Sequence, residues 1–147
     1  MYTCNYCIIY TCIINNRNIK VEFNTSNTSM NFLYNCFKKI CTWLFIVDKY
    51  GTKKCSNNLT ISLYFFDFLK ELPSNNIKII DVENINTAYA SVCAPHGEIV
   101  IYRKEEWFKV FIHETFHAYG LDFGIAESNQ IRRILKNIVN IDSKMYI

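Results

Sequence analysis

Glycine and proline are scarce: the 147 residues hold 4 Gly and 2 Pro. That excludes a collagen-like repeat and Pro/Gly-rich low complexity. Charge is sparse too. Asp, Glu, Lys and Arg make up 20% of the chain and no Lys/Arg run exceeds two, so the electrostatic footprint of a nucleic-acid binder is missing. The first residues lack the basic region and small-residue cleavage site of a secretory leader. No apolar run reads as a transmembrane helix. The stretch 32–47 is interrupted by Lys38 and Lys39, and 59–69 falls short of the roughly 20 residues a span needs. Internal repeats and linkers are absent. These gaps lead to the expectation of a soluble, non-secreted, intracellular protein, with neither nucleic acid nor membrane among its partners.

What is present suits a folded domain. Half of the chain is hydrophobic and 16% is aromatic, too much for disorder. The length predicts one domain over 1–147, able to bury roughly 68% of its unfolded surface. The net charge of +3 is mild. Asn, Ile, Lys, Tyr and Phe, whose codons are AT-rich, are abundant, which suggests an AT-rich genome. The seven Cys are odd in number. Without a leader, they point to a reducing compartment and to buried or incidental thiols rather than a disulfide framework. Cys4-x-x-Cys7 resembles half a zinc knuckle, but no second pair sits at a suitable distance.

Alternation and turn chemistry predict a β-hairpin from strands 7–14 and 19–23 around the cluster Asn15–Asn18. Ser29 is placed to cap a helix over 30–49, whose apolar stripe is Leu33, Phe37, Ile40, Cys41, Leu44 and Val47, with Gly51 as its stop. A β-branched and aromatic run predicts a strand over 59–66. Residues 70–76 read as a turn, 77–82 as a short extended segment and 84–95 as irregular. A short strand over 98–102, opened by Gly97, precedes a helix over 104–119 stopped by Gly120. A last amphipathic helix is expected over 125–139, with Ile131, Ile134, Leu135 and Ile138 on one face.

The chemistry lies in His113-Glu114-Thr115-Phe116-His117, an H-E-x-x-H sequence inside the predicted helix. Four residues make about one turn, so both imidazoles project from one side and can hold one metal ion. Zn²⁺ suits such ligands, and with an open coordination position it activates a water molecule. Glu114 flanks that side. It is the candidate general base, taking the proton as water attacks a carbonyl and passing it to the leaving amine. The bland alternative is two surface histidines and a solvated Glu114. Against it, Phe108, Phe111, Ile112, Phe116 and Tyr119 form an apolar side that would bury and leave the histidines toward a cleft.

The strand followed by this helix resembles the zincin metallopeptidases. The block from Gly97 through Tyr102 and Trp107 to His117 also resembles metallopeptidases of large DNA viruses, and the likeness reaches back through Asn86-Thr87-Ala88-Tyr89-Ala90-Ser91. It covers the second half of the chain closely and the first half loosely. It implies an α+β zincin-like fold, a small mixed sheet with an active-site helix and a C-terminal helix, and 1–28 as a hairpin extension. It also implies Zn²⁺ as cofactor, a peptide or protein substrate, and the cytoplasm of an infected host cell. In such peptidases an edge strand borders the cleft and binds an extended peptide, a role that would fall on Ile99, Val100 and Ile101.

The third ligand departs from the family pattern. After Gly120, the position where a metzincin-like ligand belongs is Phe123, which cannot bind zinc. Asp122 lies one residue early, and Glu127 is the only later Glu. Both remain candidates; Asp122 could equally cap a turn, and Glu127 could favour a helix N-terminus. The chain ends at Ile147, so a truncated relative without its ligand-bearing helix is a further expectation. Cys93 and His96 could touch the metal or form a turn with Pro95. Tyr119 or Tyr102 could hydrogen-bond an oxyanion. Two rival functions follow: a degenerate zincin-like module that binds a protein partner, and a zinc hydrolase acting on a non-peptide amide.

Overall fold

Two consecutive asparagines set the first element pair. Asn15 and Asn16 both adopt positive φ (47° and 69°), the geometry of a type I′ turn, which matches the twist of the strands it joins. Strands β1 (Tyr6–Ile14) and β2 (Arg17–Thr25) therefore pair antiparallel from Ile14↔Arg17 to Tyr6↔Thr25. The turn is two residues shorter than the sequence suggested, because Arg17 and Asn18 already belong to the ladder. The computed structural model describes residues 6–26, 29–66, 87–122 and residue 133. The expected segment at 77–82 and the expected last helix with Glu127 lie outside them.

Helix α1 (Met30–Val47) follows, and it buries Leu33, Cys36, Ile40, Leu44 and Val47. Ser29 stands at the N-cap, yet its side chain makes no capping bond; its carbonyl takes the Leu33 N–H at 3.1 Å. Gly51 does not end the helix through a left-handed turn. It is small because a Cβ there would lie 2.6 Å from the Tyr119 ring. Strand β3 (Asn58–Phe65) then runs parallel to β2, as a helix crossover permits. Strands β4 (Ala88–Ala90) and β5 (His96–Ile101) pair antiparallel, with β5 parallel to β3. The sheet order is β1-β2-β3-β5-β4. Helix α2 (Trp107–Ala118) completes a mixed α+β fold. Ile19, Val21, Phe23, Leu59, Ile61, Leu63, Ile99 and Ile101 share one core with both helices.

Two expectations change here. The strand over 98–102 is not at an edge: β3 and β4 flank it, and Ile99, Val100 and Ile101 are buried. Their backbone groups are committed to neighbours, so they cannot receive a peptide as a further strand. Cys55 and Cys93, moreover, are joined in a disulfide. Their loops meet below β3 and β5, where Ser56 N–H donates to Ala94 O at 2.7 Å and Asn58 N–H to Pro95 O at 3.1 Å.

Arg17 ties these loops to the hairpin. Buried at 3% exposure, it pairs through Nε with Asp48, donates through Nη1 to Cys55 O and through Nη2 to Thr52 O (3.1 Å), and lies 4.7 Å from the centre of the Tyr119 ring. Asn15 Nδ2 also donates to Asp48 at 2.9 Å. Burial works against ionisation of Asp48. The hydrogen bonds from Arg17 and Asn15, with the Arg17 charge, outweigh it and hold the carboxyl below its ordinary 3.8. A depressed folded value means that this stabilisation is complete above pH 3.8 and disappears as pH falls through the lower folded value. Urea midpoints of the unmodified protein should drop steeply below that pH. Asp48→Asn, weaker throughout, should show a shallower acid limb.

Candidate metal centre

Helix α2 is built to show one side and hide the other. Trp107, Phe111, Thr115 and Ala118 are buried against the core, Glu114 is buried next to His113, and His113 is exposed and His117 half-exposed. The helix is shorter at its start than the periodicity suggests. Glu106 sits at φ 53°, a left-handed conformation that cannot continue backward as helix. Its end is defined by two bonds: Gly120 N–H to His117 O (3.2 Å) and Leu121 N–H to Phe116 O (2.8 Å), with Gly120 at φ +66°. This is a Schellman ending, for which glycine is the favoured residue.

Other loops hold the same helix end. Cys93 N–H donates to His117 O (3.0 Å), Ser56 Oγ to Ala118 O (2.7 Å) and Thr52 N–H to Tyr119 O (2.9 Å). A Cβ on Gly120 would meet the sulfurs of Cys55 and Cys93 at 3.0 and 3.2 Å, so the disulfide packs directly beneath this turn. On the flank toward α1, Trp43 Nε1 donates to Thr115 Oγ1 at 2.8 Å, and Phe116 meets the Trp43 ring edge-on. The backbone carrying His117 is thus fixed from three directions.

The two imidazoles converge. Nε2 of His113 and Nε2 of His117 lie 3.3 Å apart, with ring planes at 87°. Two nitrogens each 2.0–2.1 Å from one tetrahedral zinc would be about 3.3 Å apart. The observed separation matches that spacing, and it is also within reach of a hydrogen bond between the two rings. Behind His117, Asp122 bonds Nδ1 at 2.8–2.9 Å. A carboxylate there favours the proton on Nδ1 and leaves the Nε2 lone pair for a metal. Glu114 is 8% exposed. Burial raises its pKa; the neighbouring His113 and His117 act to lower it, and Asp122 adds to the rise. Its carboxyl is thus within electrostatic reach of the whole group.

The remaining candidates fare differently. Asp122, one of the two candidate third ligands, has its carboxylate on His117 Nδ1, on the far side of the ring from Nε2. The signal for this was present: a glycine stop at 120 folds the next two residues back onto the helix's last turn. Among the described residues, no group of three His, Cys, Asp or Glu side chains is placed to hold a metal. Cys93 has its sulfur in the disulfide, and His96 is exposed at the start of β5. Tyr119 is fully buried against Arg17, and Tyr102 stacks on Tyr64 on the sheet face away from the helices. Neither tyrosine serves an oxyanion beside the histidines.

Sequence reasoning missed β4. It is the edge of the sheet among the described residues, and it adjoins α2. No protein-family model, curated protein or solved structure matches the chain.

Proposed function

We propose that the chain is a zinc-dependent peptidase in which His113 and His117 hold the metal and Glu114 handles the proton. The observation that carries this reading is the 3.3 Å separation of the two Nε2 atoms on one helix face, with Asp122 behind His117. Zinc, when bound, supplies Lewis-acid polarisation of a carbonyl and acidification of water. Glu114 accepts the proton from the attacking water at its carboxylate and delivers it to the leaving nitrogen. Asp122 holds the His117 ring and its tautomer. An extended peptide would pair with the outer side of β4, taking the role first expected of Ile99, Val100 and Ile101.

A second reading is favoured by the lack of a third donor among the described residues. It is a zincin-like module that binds a partner without turnover. Glu127 remains a proposal for the third ligand.

Zinc content of protein made in metal-replete medium tests the first reading. One zinc per chain is expected, lost in the His113→Ala, His117→Ala double variant with its far-UV dichroism unchanged. Protein that holds no zinc under these conditions overturns it. Asp122→Ala should keep the fold and weaken zinc by about 10–100-fold, measured by competition with a chromogenic chelator.

A further inference from the structure

We infer that the outer face of α1 docks the protein on an anionic lipid surface. A helix laid on a sheet ordinarily shows polar residues outward. This one does not. Met30, Tyr34, Phe45 and Ile46 are 45–56% exposed, and Tyr50, just past its end, is 75% exposed. They are spread over some 20 residues, about 30 Å of helix, rather than gathered in one pocket.

Charge gives the partner's sign. Lys38, Lys39, Lys49, Lys53 and Lys54 are all exposed. The only carboxylate between residues 29 and 57 is Asp48, which is buried and engaged by Arg17. The exposed charge of this segment is therefore cationic. Lysines sit beside its rings: Lys38 lies 5.0 Å from the centre of the Tyr34 ring and Lys49 5.6 Å from that of Phe45. Between α1 and α2 the surface dips into a groove lined by Phe32, Lys39, Trp43, Ile46 and Phe108.

Aromatic and aliphatic side chains interleaved with lysines are what an interfacial helix presents. The apolar groups enter the headgroup boundary, and the ammonium groups meet lipid phosphates and carboxylates. A nucleic acid would use the lysines but offer nothing to Met30 and Ile46. A protein partner would favour clustered anchors over a 30 Å band. Docking here does not mean crossing, since no described helix is long and apolar enough to span a membrane. It stands independently of whether the chain hydrolyses peptides.

The test is co-sedimentation of the full chain with vesicles of phosphatidylcholine alone and of phosphatidylcholine mixed with phosphatidylserine. The protein should pellet with the anionic vesicles only, and high salt should release it. Lys38→Ala, Lys39→Ala together should lower partitioning about 25-fold, at roughly fivefold per lysine. Phe45→Ser, Ile46→Ser should lower it as well, with dichroism unchanged for both pairs. Equal behaviour on the two vesicle types overturns the proposal, as does indifference to both double variants. It is also overturned if polyglutamate or a single-stranded oligonucleotide binds as tightly as the anionic vesicles and does not respond to Phe45→Ser, Ile46→Ser.

Discussion

Glu114→Gln is expected to keep its zinc and to lose peptide hydrolysis by about 10²–10⁴-fold, the usual contribution of a positioned acid–base group. Glutamine has nearly the same shape, so the inward packing of α2 beside Phe111 and Ala118 is preserved. It also removes a buried carboxyl whose ionisation burial already disfavours, so folding stability should not suffer. What disappears is the proton acceptor. The measurement is digestion of a peptide library followed by mass spectrometry, with zinc content determined on the same preparations. Unchanged hydrolysis in the glutamine variant would remove Glu114 from the chemistry while leaving the histidine site in place. Loss of both zinc and hydrolysis would mean that the carboxylate supports the metal.

The parts of the fold written in local patterns could be read from the sequence. The hairpin follows from alternation and two asparagines, and the stripe of α1 from helical spacing. The convergence of His113 and His117 follows from the four-residue interval alone. The parts that depend on distant pairing could not be read. Strand β4 is Ala-Tyr-Ala, with no β-branched residue; it is a strand because β5 lies beside it. Its presence moves the edge of the sheet, among the described residues, outward from β5. The Cys55–Cys93 bond spans 38 residues, and an odd set of seven cysteines does not disclose such a pairing. Asp122 was legible as an acid near the motif, but its side of the ring was set by the turn at Gly120.

Arg17→Met should be the most damaging single change away from the histidines, lowering stability by about 3–5 kcal/mol, because it leaves Asp48 buried and unpaired. Equilibrium unfolding in urea provides the measurement. The Arg17→Met, Asp48→Leu double variant should recover part of the loss, since no lone charge then remains. Recovery should be incomplete, because the Cys55 carbonyl still loses its Arg17 donor and the Thr52 carbonyl keeps only the Cys55 N–H. Those residues flank the loop that holds the end of α2 through Thr52 N–H and Ser56 Oγ. The double variant should therefore bind zinc more weakly than the unmodified protein even where it is fully folded, since the turn that aims His117 and Asp122 has lost one of its supports. Full zinc affinity in a folded double variant would show that the Schellman ending and the Cys93 contact suffice to hold the site without the buried arginine.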